Sequence, residues 1–105
     1  MTSTNLIPAT TALANSAAFS GSNGTNISIC CNSLLGSETI TLQVYDYGNK
    51  IWADAIALDQ KFQITASTNF MTIYEDAQTY RLVKSITTNP VAVNTNSGIQ
   101  FVEID

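Results

Sequence analysis

Thr39-Ile40-Thr41-Leu42-Gln43-Val44-Tyr45 alternates polar and apolar residues without an error, the period of a strand with one face on a core and the other in water. Ile40, Leu42 and Val44 are thereby assigned to the core face. Asp46-Tyr47-Gly48-Asn49-Lys50 follows with the chemistry of a hairpin loop, Gly48 supplying a residue free to take a positive φ. Ile51 to Leu58, carrying Trp52, then returns as a second strand. Outward from this hairpin the same period recurs: Asn26 to Cys31 before it, and Lys61 to Ala66, Asn69 to Tyr74, Tyr80 to Val83, Val91 to Thr95 and Ile99 to Ile104 after it. Turn-forming residues separate these runs, with Glu75-Asp76-Ala77-Gln78 as a polar corner and Asn96-Ser97-Gly98 as a tight turn. Seven or eight short strands punctuated in this way predict an all-β fold, a small antiparallel β-sandwich or barrel.

The composition agrees. Of 105 residues, 14 are Thr, 10 Ser and 10 Asn, small polar residues that suit turns and the solvent faces of strands better than helix interiors. Eleven Ile and five Val add stiff β-branched side chains that pack well on a pleated surface. Four basic residues against eight acidic ones, net −4, give no electrostatic footprint for nucleic acid or for an anionic membrane surface. No run approaches the 18 or more apolar residues of a membrane-spanning helix. Met1-Thr2-Ser3-Thr4-Asn5 lacks the basic start of a secretory signal, so the expectation is synthesis in a cytoplasm.

The first 25 residues read differently from the rest. They are rich in Ala, Ser, Thr, Gly and Asn, with isolated apolar points at Leu6, Ile7, Leu13 and Phe19. Few large side chains are present to offset the backbone entropy of ordering. The reading is therefore an extended N-terminal arm over 1–25, with a short helical stretch around Ala12 to Ala18, attached to a sandwich domain over 26–105. On that reading the sandwich folds without residues 2–20.

Side-chain chemistry points to no reaction. Histidine is absent, which removes the commonest general base and metal ligand together, and a Ser or Cys nucleophile normally needs an adjacent base. Asp46, Asp54, Asp59, Glu75 and Asp76 are carboxylates at loop corners, and Asp46, Asn49, Glu75 and Asp76 are hard oxygen donors without a calcium-loop spacing. The expectation is no enzyme, no metal and no cofactor. Asn23-Gly24-Thr25 and Asn26-Ile27-Ser28 match the glycosylation pattern without a signal peptide to support it. Cys30 and Cys31 are adjacent, so on a strand their side chains point to opposite faces; Cys31 is read as inward and Cys30 as outward, both reduced. Tyr45, Tyr47 and Trp52 gather at the hairpin, either as interface anchors or sugar-stacking rings or, for Trp52, as a cap on the core. Phe62, Phe70, Tyr74, Tyr80 and Phe101 are read as core.

Two pieces of the chain carry a resemblance. The run Thr39 to Trp52 resembles a hairpin of small tailed-phage virion proteins, in which an alternating strand enters an aromatic-Asp-Gly turn and a Trp soon follows. Glu75-Asp76-Ala77-Gln78-Thr79-Tyr80-Arg81-Leu82 is similar to their second recurring piece, an acidic corner followed by Tyr-Arg-Leu. The likeness covers residues 26–104; Tyr47 stands where the pattern has a glycine, and the first residues have no counterpart. The resemblance implies a capsid decoration (cement) protein on the exterior of a virion, often a homotrimer, whose partner is the major capsid protein. With it comes the expectation that Leu6, Ile7, Leu13 and Phe19 of the arm lie in grooves between capsid subunits. A carbohydrate-binding tail or adhesin module using Tyr45, Tyr47 and Trp52 is the alternative.

Overall fold

The computed structural model describes residues 3–21, 26–57, 60–73 and 78–104. Among them the strands are β1 (Thr4–Thr10), β2 (Ala14–Asn15), β3 (Phe19–Gly21), β4 (Ile27–Cys31), β5 (Ile40–Asp46), β6 (Ile51–Asp54), β7 (Ile56–Ala57), β8 (Gln60–Lys61), β9 (Gln63–Ile64), β10 (Phe70–Ile73), β11 (Tyr80–Lys84), β12 (Val91–Thr95) and β13 (Ile99–Phe101). The fold is all-β, as the alternation predicts. A four-stranded antiparallel sheet in the order β1-β12-β4-β10 packs on a larger one in the order β13-β3-β11-β5-β6. In the larger sheet β2 also pairs with β11, and β9 with β5.

Period two sets the core. Ile27, Ile29 and Cys31 of β4 and Val91, Val93 and Thr95 of β12 face Ile40 and Leu42 of β5 and Tyr80, Leu82 and Lys84 of β11. Val44 is partly buried against the same cluster. Between β6 and β9 the chain leaves the sheet as the small β7–β8 hairpin and rejoins it. The bonds Ala55 N–H to Leu42 O (3.0 Å) and Leu42 N–H to Phe62 O (2.9 Å) close the gap. The counted strands therefore exceed seven or eight, because both neighbours of the β5–β11 pair are interrupted.

The N-terminal segment corrects the expectation of an arm without a core. Over its described residues it supplies β1 to the smaller sheet and β2 and β3 to the larger one, with no helix near Ala12 to Ala18. Leu6, Ile7 and Phe19 are buried, Phe19 completely. The physical reason lies in the register of β1. Asn5 pairs with Asn94 and Ile7 with Val93, then Thr10 with Val91, so each step places one extra residue on β1, a bulge. A bulge lets the adjacent Leu6 and Ile7 both turn inward, and Pro8 is accommodated because β1 is an edge strand. Phe19 sits opposite Tyr80 on one side and Phe101 on the other. Ser16 bridges the gap between β2 and β3: its N–H donates to Leu82 O and its Oγ accepts from Leu82 N–H, both at 2.9 Å.

Phe70 and Phe101, read as core, are exposed on the edge strands β10 and β13. Alternation assigns a face, whereas exposure at an edge depends on the missing neighbour. Phe62 is partly buried and Tyr80 fully in the core. Tyr74 and the corner Glu75 to Ala77 lie outside the described residues, as do Ser22 to Thr25 and Asp59.

Removal of residues 2–20 takes β1 from the smaller sheet and β2 and most of β3 from the larger one, and is expected to leave the chain unfolded by circular dichroism. Phe19→Ala in the full chain is expected to cost about 3–5 kcal/mol in urea denaturation.

Candidate functional site

Three segments meet at one end of the sandwich: 10–13 before β2, 32–39 between β4 and β5, and 85–90 between β11 and β12. Gly36, at φ +56°, is the glycine that a left-handed backbone requires there. The segments are laced together by hydrogen bonds. Thr87 N–H donates to Thr11 O (3.0 Å) and Ser85 N–H to Thr39 O (3.0 Å), while Thr39 N–H donates to Ser85 Oγ (3.0 Å).

Two charges complete the lacing, Glu38 at the surface and Lys84 from inside. Glu38 accepts from Leu35 N–H at 2.8 Å with one carboxylate oxygen and from Thr88 N–H at 2.9 Å with the other. These bonds, Leu35's first, lower the Glu38 pKa from its ordinary 4.5. Lys84 is buried at the end of β11, its ammonium donating to Ala12 O (2.7 Å) and Ser85 O (2.9 Å). Burial lowers its pKa, and Glu38 acts in the opposite sense.

Outside this frame stand Leu13, 66% exposed, Leu35, 48%, and Ile86, 72%. The only charged residue in the three segments is Glu38, and its oxygens are already engaged. The end carries three exposed aliphatic side chains around a single carboxylate that is hydrogen-bonded to two backbone amides. Of the four residues assigned to a gripping arm, Leu13 alone is exposed; Leu6, Ile7 and Phe19 belong to the core and cannot reach a partner. Leu35 and Ile86 were missed because neither falls in a periodic run. Their signal is an apolar residue in a Ser/Thr/Gly-containing window between periodic runs.

The aromatic hairpin lies on the outer face of the larger sheet. Asp46 builds its turn, its carboxylate accepting from Gly48 N–H (2.9 Å), Asn49 N–H (3.2 Å) and Asn49 Nδ2 (2.8 Å). The Asn49 side chain is the main cause that lowers the Asp46 pKa. The left-handed residue of this turn is Lys50 (φ 57°), not Gly48 as expected. Gly48 instead provides room, since a Cβ there would come within 3.3 Å of Asp46 Oδ1.

Tyr45, 8% exposed, packs edge-on against Tyr47 (4.8 Å between centroids) and tilted against Trp52 (5.1 Å). Tyr47 is exposed, and its hydroxyl shares a hydrogen bond with Thr79 Oγ1 (2.9 Å). Trp52 is half-buried and does not cap the core. The Arg81 guanidinium sits 4.6 Å from its ring centroid, a cation–π contact. Arg81 Nε donates to Gln43 Oε1 (2.7 Å), and Gln43 Nε2 donates to Asp54 Oδ1 (2.9 Å). The structure thus brings Tyr45, Tyr47 and Trp52 together, but one face of the indole is occupied and Tyr45 is covered. A cavity of about 150 Å³ beside them is lined by Tyr45, Tyr47, Lys50, Glu103 and Ile104.

A wider hollow of about 410 Å³ lies over the smaller sheet, lined by Cys30, Cys31, Asn32, Ala92 and Asn94. Both cysteines are free, Cys31 buried and Cys30 half-buried. Burial, and then the neighbouring Cys30, pushes the Cys31 thiol up to about 11, so it is protonated and unreactive at neutral pH. Among the described residues no three His, Cys, Asp or Glu side chains converge to hold a metal ion. Comparisons of the chain with protein-family models, with curated proteins and with solved structures find no match.

Glu38→Gln is expected to lower the urea midpoint at pH 7. A depressed carboxyl stabilises the fold fully above 4.5 and loses that contribution as pH falls through its folded value. The gap between variant and parent should therefore close in acid. Cys31 acts in the opposite range: above pH 9 the unfolded chain releases a proton that the folded chain holds until about 11. Stability should fall across that interval, less steeply in Cys31→Ala, as urea midpoints at pH 8 and pH 10 would show.

Proposed function

We propose that this protein is a structural component of a larger assembly, a decoration protein that docks on the outside of a viral capsid lattice and staples its subunits. The observation that carries the reading is the end bearing the exposed Leu13, Leu35 and Ile86, whose one segment charge, Glu38, is engaged by backbone amides. Large aliphatic side chains held out on a hydrogen-bonded frame, with no free charge beside them, form a surface suited to being covered by protein. Covering them contributes about 25 cal/mol per Å² of apolar area removed from water. Repetition of weak contacts over a lattice multiplies such a contribution into firm attachment. The likeness of the Thr39–Trp52 hairpin and the Tyr-Arg-Leu run to small virion proteins supports the same class, with the major capsid protein as partner. The grip lies in this preformed end rather than in a flexible arm.

The geometry gives less support to a carbohydrate-binding module. A sugar ring stacks on an open aromatic face, and here Arg81 occupies a face of Trp52 while Tyr45 is buried. Tyr47 alone of the three is exposed.

The test is co-sedimentation of the purified protein with capsids encoded in the same genome. The parent chain is expected to pellet with them, and Leu13→Ser/Leu35→Ser/Ile86→Ser to remain in the supernatant with an unchanged circular dichroism spectrum. Absence of parent binding, together with a tryptophan fluorescence response to glycans, would favour the carbohydrate reading.

A further inference from the structure

Four edges bound the two sheets, and three carry features that discourage further pairing. β1 contains Pro8 and two register shifts. The β6–β9 edge is broken by the β7–β8 excursion. β10 is entered through Asn69 at φ 61°, which turns the chain just before Phe70. Such devices are how sheets avoid adding a foreign strand. β13 is short, but it carries no proline, no register shift and no break. Ile99-Gln100-Phe101 contains no proline and no charge, and its register against β3 is unbroken: Ile99 with Gly21, Gln100 with Ser20, Phe101 with Phe19.

The direction of its free backbone groups follows from one bond. Val102 N–H donates to Ala18 O at 3.0 Å, so in an antiparallel ladder the backbone groups of Gln100 also face β3. Those of Ile99 and Phe101 face away from the sheet. Phe101 is 57% exposed on the same face of the strand as Ile99, which is partly buried against the core.

We propose that β13 is the interface between two copies of this chain, which pair antiparallel about a twofold axis through Gln100. The strand is self-complementary in that register. Ile99 of each copy lies opposite Phe101 of the other, and each such pair exchanges both of its outward hydrogen bonds. Phe101 then covers Ile99 across the junction, and the two Gln100 side chains meet on the opposite face. Ile99 to Phe101 carries no charge, so no like charges oppose each other within the paired strands of two chains of net −4. The two larger sheets become one continuous sheet. An isologous edge closes at two copies, not at the three that the virion resemblance implies, and it leaves Leu13, Leu35 and Ile86 uncovered. The inference stands independently of what those residues bind.

Sedimentation equilibrium tests the register directly. The parent chain is expected to have the mass of two copies, dissociating on dilution. Gln100→Lys and Gln100→Glu each place like charges face to face and are expected to be monomers, while an equimolar mixture of the two regains the dimer. Gln100 is exposed, so both variants should keep the parent circular dichroism spectrum. Phe101→Pro removes an amide that faces away from β3 together with the ring that covers Ile99, and should also give a monomer. Phe70→Ser, on the β10 edge, should leave the dimer intact. A parent chain that is monomeric at roughly 100 µM, where even weak dimers are populated, would overturn the proposal. So would a mass of three chains, loss of the dimer in Phe70→Ser, or a dimer indifferent to charge at position 100.

Discussion

The fold depends on Phe19 and the strand that carries it. β3 lies inside the larger sheet, between β13 and β11, and Phe19 is wholly buried with its ring 6.1 Å from that of Tyr80. A side chain of this size contributes about 1.5–3 kcal/mol by leaving water, but its position matters as much as its area. Without β3, β13 has nothing to pair with and the core flank beside Tyr80 is open. β1 performs the same service for the smaller sheet by covering β12. One segment thus completes both layers, which is why it cannot also serve as an external arm.

Much of this architecture was legible, and what was not has a common cause. β4, β11 and β12 follow strict alternation, and their buried residues are those that period two selects; β5 does so at Ile40 and Leu42, whereas Val44 is only partly buried and Tyr45 is buried on the other face. β1 breaks the rule because its bulges insert residues, making Leu6 and Ile7 neighbours on the same side and hiding a strand inside an aperiodic run. β3 is hidden by composition, since Ser20 and Gly21 are buried without being apolar. Phe70 and Phe101 show the complementary failure: their type says interior, and their place at a sheet edge leaves them in solvent. At the hairpin, Tyr45, Tyr47 and Trp52 were readable as neighbours because the turn between them is local. Arg81 over Trp52, and Glu38 joining Leu35 to Thr88, depend on chain crossings that no short window encodes.

Several of the sparse charges are committed to partners within the fold. Arg81 is bound to Gln43 and laid over Trp52, Lys84 is buried on two carbonyls, and Glu38 and Asp46 each hold a loop through its backbone amides. Charges used in this way shape loops, and because their partners are neutral groups the net charge of −4 is left unchanged.

The pairing of β1 with β12 and of β3 with β13 joins opposite ends of the polypeptide. Contacts so distant along the chain must await loop closure before they stabilise anything, and folds dominated by them form slowly. During synthesis Leu6, Ile7 and Phe19 leave the ribosome long before the strands that will cover them. The nascent chain therefore passes through a stage in which its most hydrophobic early residues are bare, and in that stage it would depend on chaperones.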